Sequence, residues 1–368
     1  MWARLDLPNV DQVIKKALMG ALLAVIALVS PATAEPARLE LSPPTGRYPV
    51  GLDTLHLVDS SRVDQWAGGP RELMVSVHYP ALARLGQRAP YLSEAEAKAV
   101  IEIQGHAGID PAVVAATRRH ARVDAVPVPR RFPLVVLSPG FTLPRATLSA
   151  LAEEVTSQGY VVAVVDHAHE AAAITYPDGR VQPCLACDAV KEGKFAAVAE
   201  GRAADVSFVL DRLRSWRHAR VIDRSRIGMA GHSIGGNAAA ETMRTDRRVL
   251  VGANLDGTFF APVTGLDRPF LLVGTDEHTP AATEDPTWPR AWQVLTGPRR
   301  WVTLPRAGHL SFTDFPLLGE QLGLPGDPEL SGTRSVEITR GLLVAFLDRH
   351  LKDRPVTQPV YPEIQEWR

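Results

Sequence analysis

The sequence predicts a doubly wound α/β fold: one mostly parallel sheet with helices on both faces. Three observations point to it. Short, β-branched apolar runs recur along the chain, near-continuous rather than alternating, as strands buried on both faces require. Helical patterns separate most of these runs. One G-x-S-x-G motif falls where a short strand runs into a helix.

The elements follow in chain order. Residues 1–34 read as an address rather than as structure. Lys15-Lys16 precede a 13-residue apolar run, Ala17–Val29, which Ser30-Pro31 breaks. Ala32-Thr33-Ala34 then fits an A-x-A cleavage site. The run is short for a membrane span of about 20 residues, and no Cys follows it to take a lipid anchor. The expectation is a secretory signal peptide cleaved near Ala34. The remainder, 35–368, is then a single α/β domain in a secreted or periplasmic protein.

Residues 38–50 are Pro-rich and read as irregular. Leu73–Tyr79 alternates like a strand and stops at Pro80. Residues 90–129 read as a helical excursion with polar joints. Buried strands are expected at Leu134–Leu137, Tyr160–Val165, Arg226–Ala230, Val249–Ala253, Phe270–Val273 and Trp301–Leu304. Helices are expected over 145–158, 196–216, 236–247 and 335–351.

Composition narrows the function classes. At 45% hydrophobic and 22% charged residues, the chain has ordinary globular usage. A net charge of -1 leaves no basic excess to hold nucleic acid. No Gly-rich phosphate loop, zinc spacing or calcium-loop pattern occurs, so neither cofactor nor metal is expected. Cys184 and Cys187 are the only cysteines, set between Pro183 and Asp188. No helical pattern begins there, which argues against a redox pair. No second Cys or His pair lies near enough for zinc. A local disulfide closing a surface loop is the expected reading in an exported chain.

The chemistry centres on Gly231-His232-Ser233-Ile234-Gly235. A short strand feeds into it and a helix starts just after it. That setting lifts a serine hydroxyl clear of the sheet at a strained turn. Such a hydroxyl needs a base. Of the histidines after Ser233, His309 lies in the loop after the last expected strand, at the carboxyl edge where such sheets hold their sites. His278, after the preceding strand, is the minor competitor, and His350 belongs to the terminal helix. The orienting acid is Asp256 or Asp276; both follow strands, and spacing does not separate them. The candidate oxyanion donors are the amides of Ile234 and of Phe141, the latter in the loop Ser138-Pro139-Gly140-Phe141.

With these residues in place, the chain resembles the α/β-hydrolases of the plasma-type platelet-activating-factor acetylhydrolase family, bacterial members included, over residues 55–352. The likeness rests on ordered blocks: LVDSSRVDQWAGGPRELMVSVHYPA, FPLVVLSPGF, VVDHAHEAAAITYPDG, GHSIGG, NLDGTFF and GHLSFTDF. In that family the acid follows the serine by about the 23 residues that separate Ser233 from Asp256. The resemblance therefore selects Asp256. It implies cofactor-free hydrolysis of short or oxidised acyl esters, such as the sn-2 acetyl group of a phospholipid-like substrate, with transient contact at a lipid interface. Two departures stand out. The animal enzymes carry a His before the oxyanion-loop Gly, where this chain has Pro139. Many cutinase-like and polyester-cleaving hydrolases place the acid after the next strand, as in VGTDEHTP, which would make Asp276 the acid and change the substrate. Rival readings are a general carboxylesterase or polyesterase, a non-catalytic exported binding protein on the same scaffold, and a peptidase.

Overall fold

A computed structural model describes residues 38–282, 285–325 and 329–367; the expected signal peptide lies outside them. Twelve strands are described. They are β1 Val50–Val63, β2 Pro70–Pro80, β3 Arg122–Val123, β4 Phe132–Ser138, β5 Val161–Asp166, β6 Ala173–Thr175, β7 Val181–Pro183, β8 Ile222–His232, β9 Val249–Leu255, β10 Phe270–Gly274, β11 Arg299–Thr303 and β12 Gln365–Trp367. Ten of them form one sheet in the order β12-β11-β10-β9-β8-β4-β5-β2-β1-β3. The central strands from β5 to β11 run parallel, while β2 and β12 pair antiparallel at the flanks.

The near-continuous apolar runs bury both faces, and successive residues of one strand feed different cores. On β4, Leu134 and Val136 join one cluster while Val135 and Leu137 join the other. Helices Phe195–Arg212 and Ile234–Thr245 cover the first face through Val206, Val209, Ala239 and Met243. Helices Ser149–Ser157 and Gly332–Leu351 cover the second through Leu151, Val155, Leu342 and Phe346. The chain leaves β4 for β5 on one side and later returns as β8 on the other. Strand order thus switches at β4, and the carboxyl ends there open the crevice where ligands bind such sheets.

Several local expectations change. The helical stretch over 90–129 resolves into helices Glu94–Ile103 and Pro111–Ala115 and the short strand β3. Ser93 and Glu96 cap the first of these reciprocally. The strand at Leu73–Tyr79 is one arm of a hairpin with the long β1, whose outer half is polar and exposed and so lacks an apolar pattern. Helices Thr287–Val294 and Phe315–Gln321 and the edge strand β12 are too short to carry a clear period. The cysteine motif also differs: a six-residue helix, Ala186–Lys191, does begin there. Cys184 and Cys187 are joined in a disulfide, their Cα atoms 5.5 Å apart. Separation by three residues places both on one side of the turn that opens the helix. Among the described residues, no helix is long and apolar enough to cross a membrane.

A buried ionic cluster ties the hairpin to the sheet centre. Arg71 on β2 donates to Asp64, Glu170 and Asp205 at 2.8–3.1 Å. Burial alone would raise the Asp205 carboxyl, but Arg71 and the hydrogen bond from His167 hold it far below the ordinary range. Replacing Arg71 with Met should lower the unfolding free energy by about 3–5 kcal/mol, because Asp64 loses its cation and buried Glu170 and Asp205 each keep only one, Arg202 and Arg62. Urea denaturation at neutral pH reads this directly.

Candidate active site

Four loops at the carboxyl edge of the sheet meet at Ser233. The serine lies between β8 and helix Ile234–Thr245, with φ 56° and ψ −130°. This strained turn is locked from below: the Ser233 amide donates to Leu255 O on β9 at 2.8 Å. Close approach explains the motif glycines. A Cβ on Gly231 would strike the Gly235 backbone, and one on Gly235 would strike the carbonyls of Ser138 and Pro139.

Asp256 ends β9 at φ 59°, a left-handed position that Asp tolerates better than most side chains. The Asn254 side chain brackets this turn, accepting from Gly257 N and donating to Gly257 O. His309 opens a short 3-10 turn, His309–Phe312, a few residues beyond β11. Its Nδ1–H donates to Asp256 Oδ2 at 2.7 Å, and Ser233 Oγ–H donates to its Nε2 at 2.9 Å. Asp256 can only accept, which fixes that tautomer. Its other oxygen accepts from Thr275 N and from His278 Nδ1, each at 2.7 Å. Burial would raise the Asp256 carboxyl, but the His278 charge and the two histidine hydrogen bonds hold it well below the usual carboxylate range.

The structure therefore brings Ser233, His309 and Asp256 into one hydrogen-bonded chain. Asp276 stands apart, exposed, its Oδ2 accepting from the Arg306 amide at 3.3 Å. His278 does not reach Ser233; it is buried behind Asp256. The Ile234 amide opens the helix at its first position, where no intrahelical acceptor exists. The Phe141 amide lies in the loop after β4 and, among the described residues, has no backbone or side-chain acceptor.

Three groups were not read from the sequence, two that hold this loop and one against His309. Arg202 is buried and donates to Pro139 O, to Ser138 Oγ at 3.1 Å and to Glu170 Oε2 at 2.7 Å. His167 donates through Nδ1 to Asp205 and accepts at Nε2 from Ser138 Oγ at 3.0 Å. The His232 ring lies 4.7 Å from the His309 ring, tilted by 43°, and its Nε2–H donates to His309 O at 2.7 Å. Burial, reinforced by the nearby His309, pushes His232 down to about 3, so it is neutral at working pH. Only its place inside the motif hinted at His232; Arg202 and His167 sit in segments that read as plain helix and strand end.

Aromatic side chains gather beside Ile234, the residue after the serine. Phe195 stacks on Phe260 with ring centroids 4.4 Å apart, and Phe141 meets Phe195 edge-on at 6.2 Å. Phe141 and Phe195 pack with Ile234 in one small cluster. Phe260 is 40% exposed and the His309 side chain 52% exposed, so the site is open to solvent.

A methyl at position 235 would push the Ser138–Pro139 carbonyls away from the serine turn. Gly235→Ala should cost about 1–3 kcal/mol of stability and lower ester turnover. Urea midpoints and initial rates on one soluble ester check both.

Comparison with known proteins agrees with this geometry. The family profile described as platelet-activating factor acetylhydrolase, isoform II, matches residues 112–183. A probable 1-alkyl-2-acetylglycerophosphocholine esterase of Arthroderma benhamiae is 27% identical, over 88% of each chain. The platelet-activating factor acetylhydrolase of Gallus gallus is 25% identical, over 60% of this chain and 62% of its own. The solved ferulic acid esterase of Streptomyces cinnamoneus superposes with a TM-score of 0.81 at 42% identity, covering 90% of this chain and 100% of that one. The parallel sheet and these kinships lead to one conclusion: the chain belongs to the platelet-activating-factor-acetylhydrolase-like α/β-hydrolases and is an ester hydrolase.

Proposed function

We propose that this protein is an exported serine esterase of the Ser-His-Asp type, acting on short-chain acyl esters of phospholipid-like alcohols. The observation that carries the mechanism is the hydrogen-bonded chain Ser233–His309–Asp256 at a strained serine turn. Ser233 Oγ attacks the ester carbonyl while His309 Nε2 takes its proton. Asp256 accepts from His309 Nδ1–H and stabilises the imidazolium that forms. The amides of Phe141 and Ile234 receive the negative charge that develops on the carbonyl oxygen. The tetrahedral adduct collapses, His309 returns the proton to the departing alkoxide, and an acyl-serine remains. Water, deprotonated by His309, then releases the acid and restores Ser233.

Export is supported by the basic start, the apolar run Ala17–Val29 and the A-x-A site at Ala32–Ala34. The Cys184–Cys187 disulfide suits an oxidising compartment.

The rims of the site favour a second substrate reading. The stacked pair Phe195–Phe260, met edge-on by Phe141, offers an apolar shelf next to Ile234, the residue after the serine. An aromatic acyl group could lie along it with offset stacking. The kinship to a ferulic acid esterase, and a 28% match over 40% of the chain to a bis(hydroxyethyl) terephthalate hydrolase of Streptomyces coelicolor, point the same way.

Two sets of rates decide. On p-nitrophenyl esters from acetate to palmitate, Ser233→Ala should retain only residual turnover, about 10³-fold or more below the wild type. A near wild-type rate would remove Ser233 from the mechanism. An sn-2-acetyl phospholipid and methyl ferulate then separate the substrates. If the shelf holds an aromatic acyl group, Phe260→Ala should lower kcat/KM for methyl ferulate by about tenfold and leave p-nitrophenyl acetate within about twofold. Equal losses on both esters would leave the short-acyl reading in place.

A further inference from the structure

His278 lies behind the proposed triad, and nothing in the mechanism above uses it. Its ring is buried between two carboxylates. Nδ1 is 2.7 Å from Asp256 Oδ1, and Nε2 is 3.1 Å from Asp285 Oδ2. An ionised carboxylate can only accept, so both ring nitrogens must donate, and the ring is an imidazolium. A neutral ring would set one lone pair against a carboxylate oxygen.

The surroundings are built for that ion. The indole of Trp288 stacks on the ring with centroids 4.3 Å apart, so the cation faces a π surface. Trp301 Nε1 and Thr303 Oγ both donate to the His278 carbonyl, which fixes the backbone. Position 274 is glycine, and a Cβ there would strike the His278 side chain. Asp285 is held in turn by the Thr287 amide at 2.8 Å and by the Thr287 hydroxyl. Burying a histidine cation is expensive unless it is paired on both sides, as it is here.

We infer that His278 and Asp285 extend the Ser233–His309–Asp256 chain to five hydrogen-bonded groups, with His278 the positioning residue that sets the orientation and charge of Asp256. This rests on the triad reading above. With Oδ1 held by His278 and Thr275, Asp256 can present only Oδ2 to His309. The positive charge on His278 also tempers the carboxylate. The groups Asp256, His278 and Asp285 together carry one net negative charge rather than two. The other titratable group against His309, His232, is neutral and adds no charge.

The ion's own titration fits the geometry. Desolvation alone would lower His278, but Asp256 and Asp285 overcome it and raise the ring to about 10. A raised value means that its contribution to stability is complete below the unfolded value of 6.5 and is lost as pH rises through about 10.

The test uses the whole enzyme with 15N-labelled histidines. At pH 8, wild-type His278 should carry protons on both ring nitrogens, a signal identified by its loss in His278→Gln. A single-proton tautomer at pH 8 overturns the inference. In Asp285→Asn the second proton should leave at lower pH; an unchanged titration overturns the role of Asp285. Should His278→Gln not fold, Asp285→Asn identifies the same signal, because it removes a carboxylate 3.1 Å from that ring alone. In folded His278→Gln, kcat should fall about tenfold to a hundredfold, with KM little changed. Its acid limb in kcat/KM should move upward by about 1 pH unit, because a cation near His309 has gone. Wild-type kcat and acid limb in His278→Gln, beside an inactive Ser233→Ala, would reduce His278 to packing. An active Ser233→Ala would instead fail the triad, while the 15N spectrum still reports the charge on His278.

Discussion

The arrangement of the site depends on one backbone constraint: Ser233 must stay in a left-handed turn between a buried strand and a helix. At φ 56° a side-chain-bearing residue is strained, by roughly 1–3 kcal/mol. The sheet supplies the restraint. The Ser233 amide is tied to Leu255 on the next strand, and the two motif glycines let the elbow and the oxyanion loop approach without a Cβ between them. Asp256 sits in a second left-handed turn one strand away, its amide donating to Val273 O on β10. Neighbouring parallel strands thus fix the serine and its acid partner relative to each other before any side chain is considered.

Charge buried beneath the site forms a second layer of restraint. On one side, Arg202 and His167 grip Ser138 and Pro139, and Arg71 neutralises the carboxylates behind them. On the other, His278 and Asp285 lie behind Asp256. These ions are paired on several sides, so their desolvation is offset by fixed hydrogen bonds rather than by water. The reacting edge is different. His309 and Phe260 face solvent. A hydrogen-bonded charged floor thus lies under a more open rim, which fixes the groups beneath the serine turn while leaving its edge accessible.

Much of this was readable in the sequence, because it follows from local pattern. The buried strands β4, β5, β9 and β10 announced themselves as near-continuous apolar runs, since residues buried on both faces leave few polar positions. The elbow announced itself through glycines that its close contacts require. His309 followed from chain order. The long strand β1, the helix at Ala186–Lys191 and the edge strand β12 did not show. Their residues are half-exposed or few, and pairing partners far along the chain stabilise them.

The sequence by itself determined the central buried strands and the strained serine turn, because each depends on neighbours within a few positions. Strand spacing left Asp256 and Asp276 alike, and only the tertiary structure sets one of them, Asp256, within hydrogen-bond reach of His309. Both follow strands in the same way, but one carboxylate is buried against His309 and the other lies in solvent. Folding likewise converted His278 from a competing base into a buried cation, and brought Arg202 to the oxyanion loop from 63 residues away. Such contacts join distant segments through hydrogen bonds in a low-dielectric interior, and no local spacing encodes them.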